Sequence, residues 1–330
     1  MSSKRNINSH VGKTVKRQVK RATRKTVRRS GRSQPIILII AVIAIAALLF
    51  LYDKGMISLP AWVTGEIPKT EFIPDGNAQV HFIDVGQGDC SLLIADDGTT
   101  MLIDCGEREY SAIVLRYIRD LGITRLDYVL ATHPHSDHMG GMADIISSDI
   151  EIGRFIMPHI ADDYIPTTLA YERLLTALID KNYSVYPTKT ETFSFGAGEI
   201  EFIATDYSGD NINNYSPIVR FTFGDKAFIF SGDAESYIEK DVLNLGYDVS
   251  ADVYKVAHHG SSTSSCAVWV SAIDPDYCVI ECGAGNSYGH PNNETVELLH
   301  EYTDVILRTD LSGNIVFATD GSRIEYQCSK

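Results

Sequence analysis

Beyond residue 79 the chain alternates short apolar runs with longer stretches of helical spacing. Residues 80–84, 90–95 and 100–104 are apolar or alternating runs punctuated by Gly and Asp, the pattern of short strands. Ile113, Val114, Tyr117, Ile118 and Leu121 recur on one face of a 3.6-residue turn, so 111–121 is predicted helical. Strand 126–131, helix 139–147, strand 153–157 and helix 171–180 follow. The second half predicts strands at 192–195, 199–205, 219–223 and 227–231, then helix 235–245 and strands 253–257 and 277–281. Helix 293–301 and strands 305–308 and 314–319 close the chain. Two β-rich halves, each with outer helices, predict two sheets packed face to face between helix layers, an αββα sandwich within the α/β class.

The first 76 residues follow a different pattern. Residues 1–34 hold twelve Lys or Arg and no acid, which predicts a solvated basic tail. Residues 35–51 are then uncharged and rich in Ile, Leu, Ala, Val and Phe, long enough for a membrane-spanning helix over 35–52. A cleaved signal peptide is the competing reading, but its basic region would be unusually long and no clean small-x-small cleavage site follows. Residues 53–76, with Pro60, Pro68, Pro74 and scattered Gly, form a linker to a domain over 77–330. The basic flank on the N-terminal side puts the tail in the cytoplasm and the domain outside, in a single-pass arrangement. The tail also suits anionic lipid headgroups.

All 43 acids lie beyond residue 34, against 17 Lys and Arg there, so the exported part is strongly acidic. That opposes a nucleic-acid binder whose affinity comes from phosphate neutralisation, although bound cations would offset the charge locally. Six Cys occur with no C-x2-C pair, so a zinc ribbon is not indicated. A two-residue turn at Asp97-Gly98 would set Cys90 opposite Cys105, either as a disulfide or as two small buried side chains.

The densest chemistry is His133-Pro134-His135-Ser136-Asp137-His138, three of the chain's ten His within six residues, directly after an apolar strand. Imidazoles two apart can share one cation, and the Asp137-His138 pair can reach a second; cations roughly 3.5–4 Å apart can activate a hydroxide between them. Asp233 ends another apolar strand between Gly232 and Ala234, where it could approach a cation or merely cap the next helix.

Together with Val80 to Asp89 (V-H-F-I-D-V-G-Q-G-D), Leu102-Ile103-Asp104-Cys105-Gly106, Ser231-Gly232-Asp233-Ala234-Glu235 and His258-His259-Gly260-Ser261, this cluster resembles the metallo-β-lactamase superfamily. Within that superfamily the order of the motifs is similar to the hydrolase domains of ComEC-type competence proteins. The resemblance spans about 78–320 and implies the αββα sandwich and two divalent cations, Zn²⁺ or Mn²⁺. It implies His133 and His135 on the first cation, Asp137 and His138 on the second, Asp233 bridging them, and one of His258 and His259 completing the second. His258 is taken as that ligand. His259 and His290 are then candidates, with Asp137, for catalytic groups that hold phosphate oxygens or move a proton.

The superfamily's usual third His on the first cation is replaced by Asn211, Asn213, Asn214 and Ser216, harder oxygen donors that lean toward Mn²⁺ or Mg²⁺. Asn214, Ser261, Ser262 and Thr263 are candidate substrate contacts. Asp104 is expected to orient the His cluster; Asp84 is placed in the same supporting role, and Gln87 and Asp89 either shape the cleft or turn a hairpin. The expectation is a membrane-anchored, extracytoplasmic metallohydrolase acting on DNA or another phosphodiester. An ester, lactone or amide hydrolase and a non-catalytic binding module are the alternatives.

Overall fold

A computed structural model describes residues 76–204 and 206–330. The basic tail, the apolar run and all of the linker but its last residue lie outside the described residues. Among the described helices none is long and apolar enough to cross a membrane.

Strands β1 (Ala78–Phe82), β2 (Ser91–Ile94) and β3 (Thr100–Ile103) form an antiparallel meander, and helix α1 (Ser111–Asp120) leads to β4 (Arg125–Leu130), parallel to β3. Two short helices, α2 (Ser136–Met139) and α3 (Met142–Ser147), precede β5 (Glu151–Met157), and α4 (Leu169–Asp180) precedes β6 (Val185–Pro187). Strands β7 (Glu191–Phe195), β8 (Gly198–Ile203), β9 (Ile218–Phe223) and β10 (Lys226–Phe230) are antiparallel neighbours. Then come α5 (Ser236–Leu245), β11 (Val253–Lys255), α6 (Ala267–Ile273), β12 (Tyr277–Ile280), α7 (Asn293–Leu299) and β13 (Ile306–Arg308). The chain ends with α8 (Thr309–Ser312), β14 (Ile315–Thr319) and β15 (Ile324–Cys328).

The strands form two sheets, in the orders β15-β14-β1-β2-β3-β4-β5-β6 and β13-β12-β11-β10-β9-β8-β7. Period-two alternation sends one face of each sheet to the shared interior. Val80, Phe82, Leu93, Met101, Phe221, Phe228, Phe230 and Phe317 meet there. The opposite face of the first sheet packs on α1, α3 and α4 through Leu92, Leu102, Val114, Ile118, Ile145 and Leu174. The outer face of the second packs on α5, α6 and α7 through Ile229, Ile238, Tyr254, Trp269 and Leu299. This is the four-layer sandwich expected from the pattern.

The hairpin register differs from the expectation. Ala95 N donates to Thr99 O at 2.9 Å and Gly98, at φ 85°, closes a loop of three residues rather than two. The pairing becomes Ser91 with Ile103, one residue off the predicted alignment, and Cys90 and Cys105 are both buried free thiols. The helix predicted over 139–147 is broken at Gly140 and Gly141 into α2 and α3. Strands β6 and β15 and helices α6 and α8 go beyond the elements that the sequence pattern predicts. The two strands lie at sheet ends with exposed or half-exposed residues, which removes the apolar signature.

The parallel strands position the site. β3, β4 and β5 run parallel in one sheet and β10, β11 and β12 in the other, so the loops after β3, β4, β10, β11 and β12 all leave at C-terminal strand ends. Those loops carry Asp104, the His133–His138 segment, Asp233, His258 with His259, and Glu281.

Candidate metal centre

Asp233 stands at the centre of the cluster, buried after β10. Its Oδ1 lies 3.1 Å from His138 Nε2 and 3.8 Å from His259 Nε2; its Oδ2 lies 3.7 Å from His133 Nε2 and 3.6 Å from His258 Nε2. His133 Nε2 and His135 Nδ1 are 2.9 Å apart. Asp137 Oδ2 lies 3.3 Å from His259 Nε2. Two sets of donors result, Asp89, His138, Asp233 and His259 in one and His133, His135 and Asp233 in the other, each converging within 4.8 Å.

The far side of each ring fixes what its near side offers. His138 Nδ1 donates to Asp104 Oδ2 at 2.8 Å, which leaves a lone pair on Nε2 facing Asp233. Thr132 Oγ1 donates to the same Asp104 oxygen at 2.6 Å, so it can accept from His133 Nδ1 at 3.1 Å, and His133 too turns a bare Nε2 inward. His259 Nδ1 donates to the Glu281 carbonyl at 2.9 Å, with Asp89 Oδ1 at 3.1 Å beside it. Asp104 thus sets two rings at once. It holds this position with a left-handed backbone (φ 58°), as do His258 (φ 52°) and His259 (φ 53°). Non-glycine residues in that region cost about 1–3 kcal/mol each and concentrate at functional sites.

Burial opposes the charged form of each of these groups. Against it, Asp233 and Asp104 hold His138 well above the ordinary histidine range, and Asp233 and Asp89 hold His259 up at about 10. Burial, then the neighbouring His138, pushes His133 well below that range. Asp233 is held well below the carboxylate range, its burial outweighed by His138 and His259. The carboxylates therefore outcompete desolvation and make the centre a sink for positive charge. The buried Nε2 atoms of His138 and His259 and Oδ1 of Asp233 nevertheless find no properly directed hydrogen bond. Without a cation the positive charge is carried by protons on the rings; a divalent cation in the same space would displace them and meet imidazole lone pairs and carboxylate oxygens, a donor set that fits it.

Beneath the cluster lies a buried charged group that sequence reasoning missed. Lys255 Nζ, 2% exposed on its side chain, is 2.8 Å from Asp89 Oδ2 and 3.9 Å from Glu281 Oε2. Glu281 accepts from Cys90 N at 3.0 Å and Ser91 Oγ at 3.1 Å. The available signal was a lysine inside the apolar run from Val253 to Ala257, and an acid ending the apolar strand β12.

A cleft of about 270 Å³ opens over the cluster, lined by His135, Asp137, Asp233, His258, His259 and His290. Gln87, Ser136 and Tyr288 complete its wall. Several expected roles fall elsewhere. His259 rather than His258 joins the donor set of His138 and Asp233; His258 instead has Thr263 Oγ1 at 3.2 Å from Nδ1 and Asn213 Nδ2 at 3.5 Å from Nε2. Asp89 falls within that set by distance but faces the Nδ1 atoms of His259 at 3.1 Å and His138 at 3.9 Å, behind the rings, whereas Asp137 Oδ2 lies on the Nε2 side, 3.3 Å from His259. Asn214 Oδ1 accepts from Glu235 N at 3.0 Å, so its carbonyl supports the helix start rather than the cleft. Ser261, Ser262 and Thr263 are absent from the cleft lining: Ser261 Oγ and Thr263 Oγ1 bond each other at 3.1 Å, and Ser262 N donates to Asn292 Oδ1 at 2.8 Å. Asp84 does not support the His cluster; it accepts from Gly86 N at 3.2 Å and pairs with Lys330 at 2.9 Å.

Fold and centre together define a metal-dependent hydrolase of metallo-β-lactamase fold. The family model of the metallo-beta-lactamase superfamily matches residues 83–280, and the chain belongs to that superfamily. It is 26% identical over 311 residues to ComE operon protein 3 of Bacillus subtilis (strain 168), covering 86% of this chain and 39% of that protein. It is also 26% identical over 299 residues to competence protein ComA of Neisseria gonorrhoeae, covering 88% of this chain and 40% of that one. The chain thus spans about two fifths of the length of these curated relatives. Among solved structures, the metallo-beta-lactamase fold protein YhfI from Bacillus subtilis is similar, with a TM-score of 0.45 and 11% identity over 75% of this chain and 99% of that one.

Proposed function

We propose that the chain is a phosphodiesterase or nuclease, held at the membrane by residues 35–52 with its hydrolase domain outside the cytoplasm. The observation that carries the substrate class is the pair of imidazoles beyond the two donor sets. His258 and His290 line the cleft with ring centroids 5.5 Å apart, and the buried His290 Nδ1 has no partner. Such groups can donate hydrogen bonds to the non-bridging oxygens and the leaving oxygen of a phosphodiester.

His133, His135 and Asp233 would hold one divalent cation, and His138, Asp233, His259 and Asp137 a second, with Asp89 behind the rings at their Nδ1 side. When bound, the cations lower the pKa of water and neutralise charge on the phosphoryl group. Asp104 and Thr132 keep the bare nitrogens of His133 and His138 turned inward. In this reading His290, on the cleft wall, would hold a substrate oxygen.

The competence names of the relatives support a nucleic-acid substrate, and the proposal is confined to hydrolysis. The test is turnover of bis(p-nitrophenyl) phosphate and single-stranded DNA in Mn²⁺, Mg²⁺ and Zn²⁺ beside metal analysis of the purified protein. About two equivalents of metal and loss of turnover in Asp233→Asn, with circular dichroism unchanged, are expected. Hydrolysis of esters or lactones with no phosphodiester cleavage in any metal overturns the substrate class. For topology, protease added outside intact cells should digest the domain and spare residues 1–34; protection of the domain reverses the orientation.

A further inference from the structure

Tyr288 lies on the cleft wall yet leaves 66% of its surface in solvent, uncommon for a large ring beside a buried ionic centre. One face of that ring is supported. It stacks on His290 with centroids 5.8 Å apart and planes 24° from parallel, and His290 stacks in turn on His259 at 6.4 Å and 28°. A ladder of flat rings thus leads from the donor set to the cleft mouth and ends in an open face.

The loop that presents the ring is held in place. Asn286 Oδ1 accepts from Tyr288 N and His290 N, both at 3.1 Å, while its Nδ2 donates to Gly283 O at 2.9 Å. Gly283 N donates at 3.1 Å to Gln87 Oε1, which ties the loop to another residue of the cleft wall.

Among the described residues no Lys or Arg lines the cleft. Recognition of the organic part of a substrate here rests on a flat aromatic face and a few polar donors, and stacking of bases on exposed aromatic rings is one of the means by which single-stranded nucleic acid is held. We propose that Tyr288, backed by His290, is the stacking platform for a nucleobase next to the scissile phosphodiester, so the site takes single-stranded or mononucleoside phosphodiesters over duplex. A base inside a duplex is already stacked and cannot reach such a platform without being extruded. The inference rests on the phosphodiesterase reading, and two experiments keep the two apart.

In the first, 2′-deoxyadenosine 5′-monophosphate and 2-deoxyribose 5-phosphate are titrated against the full-length protein and its Tyr288→Ala and Tyr288→Phe variants. The nucleotide should bind at least about 10-fold more tightly than the sugar phosphate, with that margin lost in Tyr288→Ala and kept in Tyr288→Phe. Equal binding of the two ligands, or an unchanged margin in Tyr288→Ala, overturns the platform. In the second, thymidine 5′-(p-nitrophenyl phosphate) and methyl p-nitrophenyl phosphate share a leaving group and differ in the nucleoside, sugar and base together. The preference in kcat/KM for the thymidine ester should fall about 10-fold in Tyr288→Ala, chiefly through KM. Failure of the parent protein to cleave either ester under any metal refutes the phosphodiesterase reading while the binding margin still judges the platform. A thymidine preference that survives in Tyr288→Ala refutes the platform alone.

Discussion

Replacing Lys255 by Met probes how the centre is supported from below. Met follows the lysine stem and fills the same space but removes the charge 2.8 Å from Asp89 Oδ2. Burial would lower the Lys255 ammonium; Asp89, then Glu281, hold it above its ordinary value instead. Burial and the adjacent Asp89 push Glu281 up to about 8, so near neutral pH that acid is mostly uncharged and the trio carries one ion pair. Removing one member of a buried pair costs about 3–5 kcal/mol where the other is left stranded; Asp89 keeps His259 Nδ1 at 3.1 Å, so the lower end of that range is expected. That is a large fraction of a typical net stability of about 5–15 kcal/mol. Adding Asp89→Asn removes the stranded charge, so the double variant should be more stable than the sum of the singles by about 2–3 kcal/mol. Urea unfolding in EDTA, followed by the fluorescence of the fully buried Trp269, measures both numbers. A cost below about 1 kcal/mol for Lys255→Met, or strict additivity in the double variant, refutes the buried ion pair as a support.

Three further outcomes are expected. Asp104→Asn should weaken cation binding about 10–100-fold, because Asp104 orients both His133 and His138; a chelator-competition titration showing unchanged affinity rejects that role. Gly88→Ala should destabilise by about 1–3 kcal/mol or more, since Gly88 sits at φ 144° and an added Cβ would lie 2.2 Å from the Asp137 carbonyl oxygen; a neutral unfolding midpoint contradicts this. Burial pushes His81 down to about 3, below the 6.5 of an exposed histidine, so the unfolded chain binds the extra proton and stability falls as pH drops. From pH 6.5 to about 5 the loss is about 2 kcal/mol, and His81→Gln, whose amide can still meet Tyr117, should flatten it in urea unfolding.

The fold was legible where strands are buried on a face and helices carry one apolar stripe. Ala227, Phe228, Ile229 and Phe230 mark β10 as a short continuous apolar run, buried on both faces, and Ile113, Val114, Tyr117 and Ile118 mark α1 by their helical spacing. It was illegible at β6, whose Val185, Tyr186 and Pro187 are all exposed, because a sheet end covers no apolar face. The hairpin shows a narrower failure. Asp97-Gly98 marks a turn, but whether Gly98 closes a loop of two or three residues is decided by tertiary contacts such as Asp96 Oδ1 accepting from Ala197 N at 2.8 Å.

The centre divides in the same way. His133, His135, Asp137 and His138 were visible because they crowd one loop, whereas Asp89, Lys255 and Glu281 are brought together by hydrogen bonds and ion pairs across more than 160 residues. The choice between His258 and His259 shows why adjacency in sequence cannot settle a ligand. Consecutive residues in extended backbone point to opposite sides, so either could have faced Asp233. Here both adopt left-handed angles and both face Asp233, at 3.6 Å for His258 Nε2 and 3.8 Å for His259 Nε2, but the turn carries His259 onto the Glu281 carbonyl and beside Asp137, while His258 also meets Asn213 and Thr263. Two strained residues persist only where surrounding contacts over-determine them. Those contacts come from β12, from the turn Ile212–Tyr215 and from the loop after β4, none of them adjacent to the histidine pair in the chain. The packed fold therefore gives the two rings different neighbours: it groups His259 with His138 and Asp233 and sets His258 beside His290 on the cleft wall.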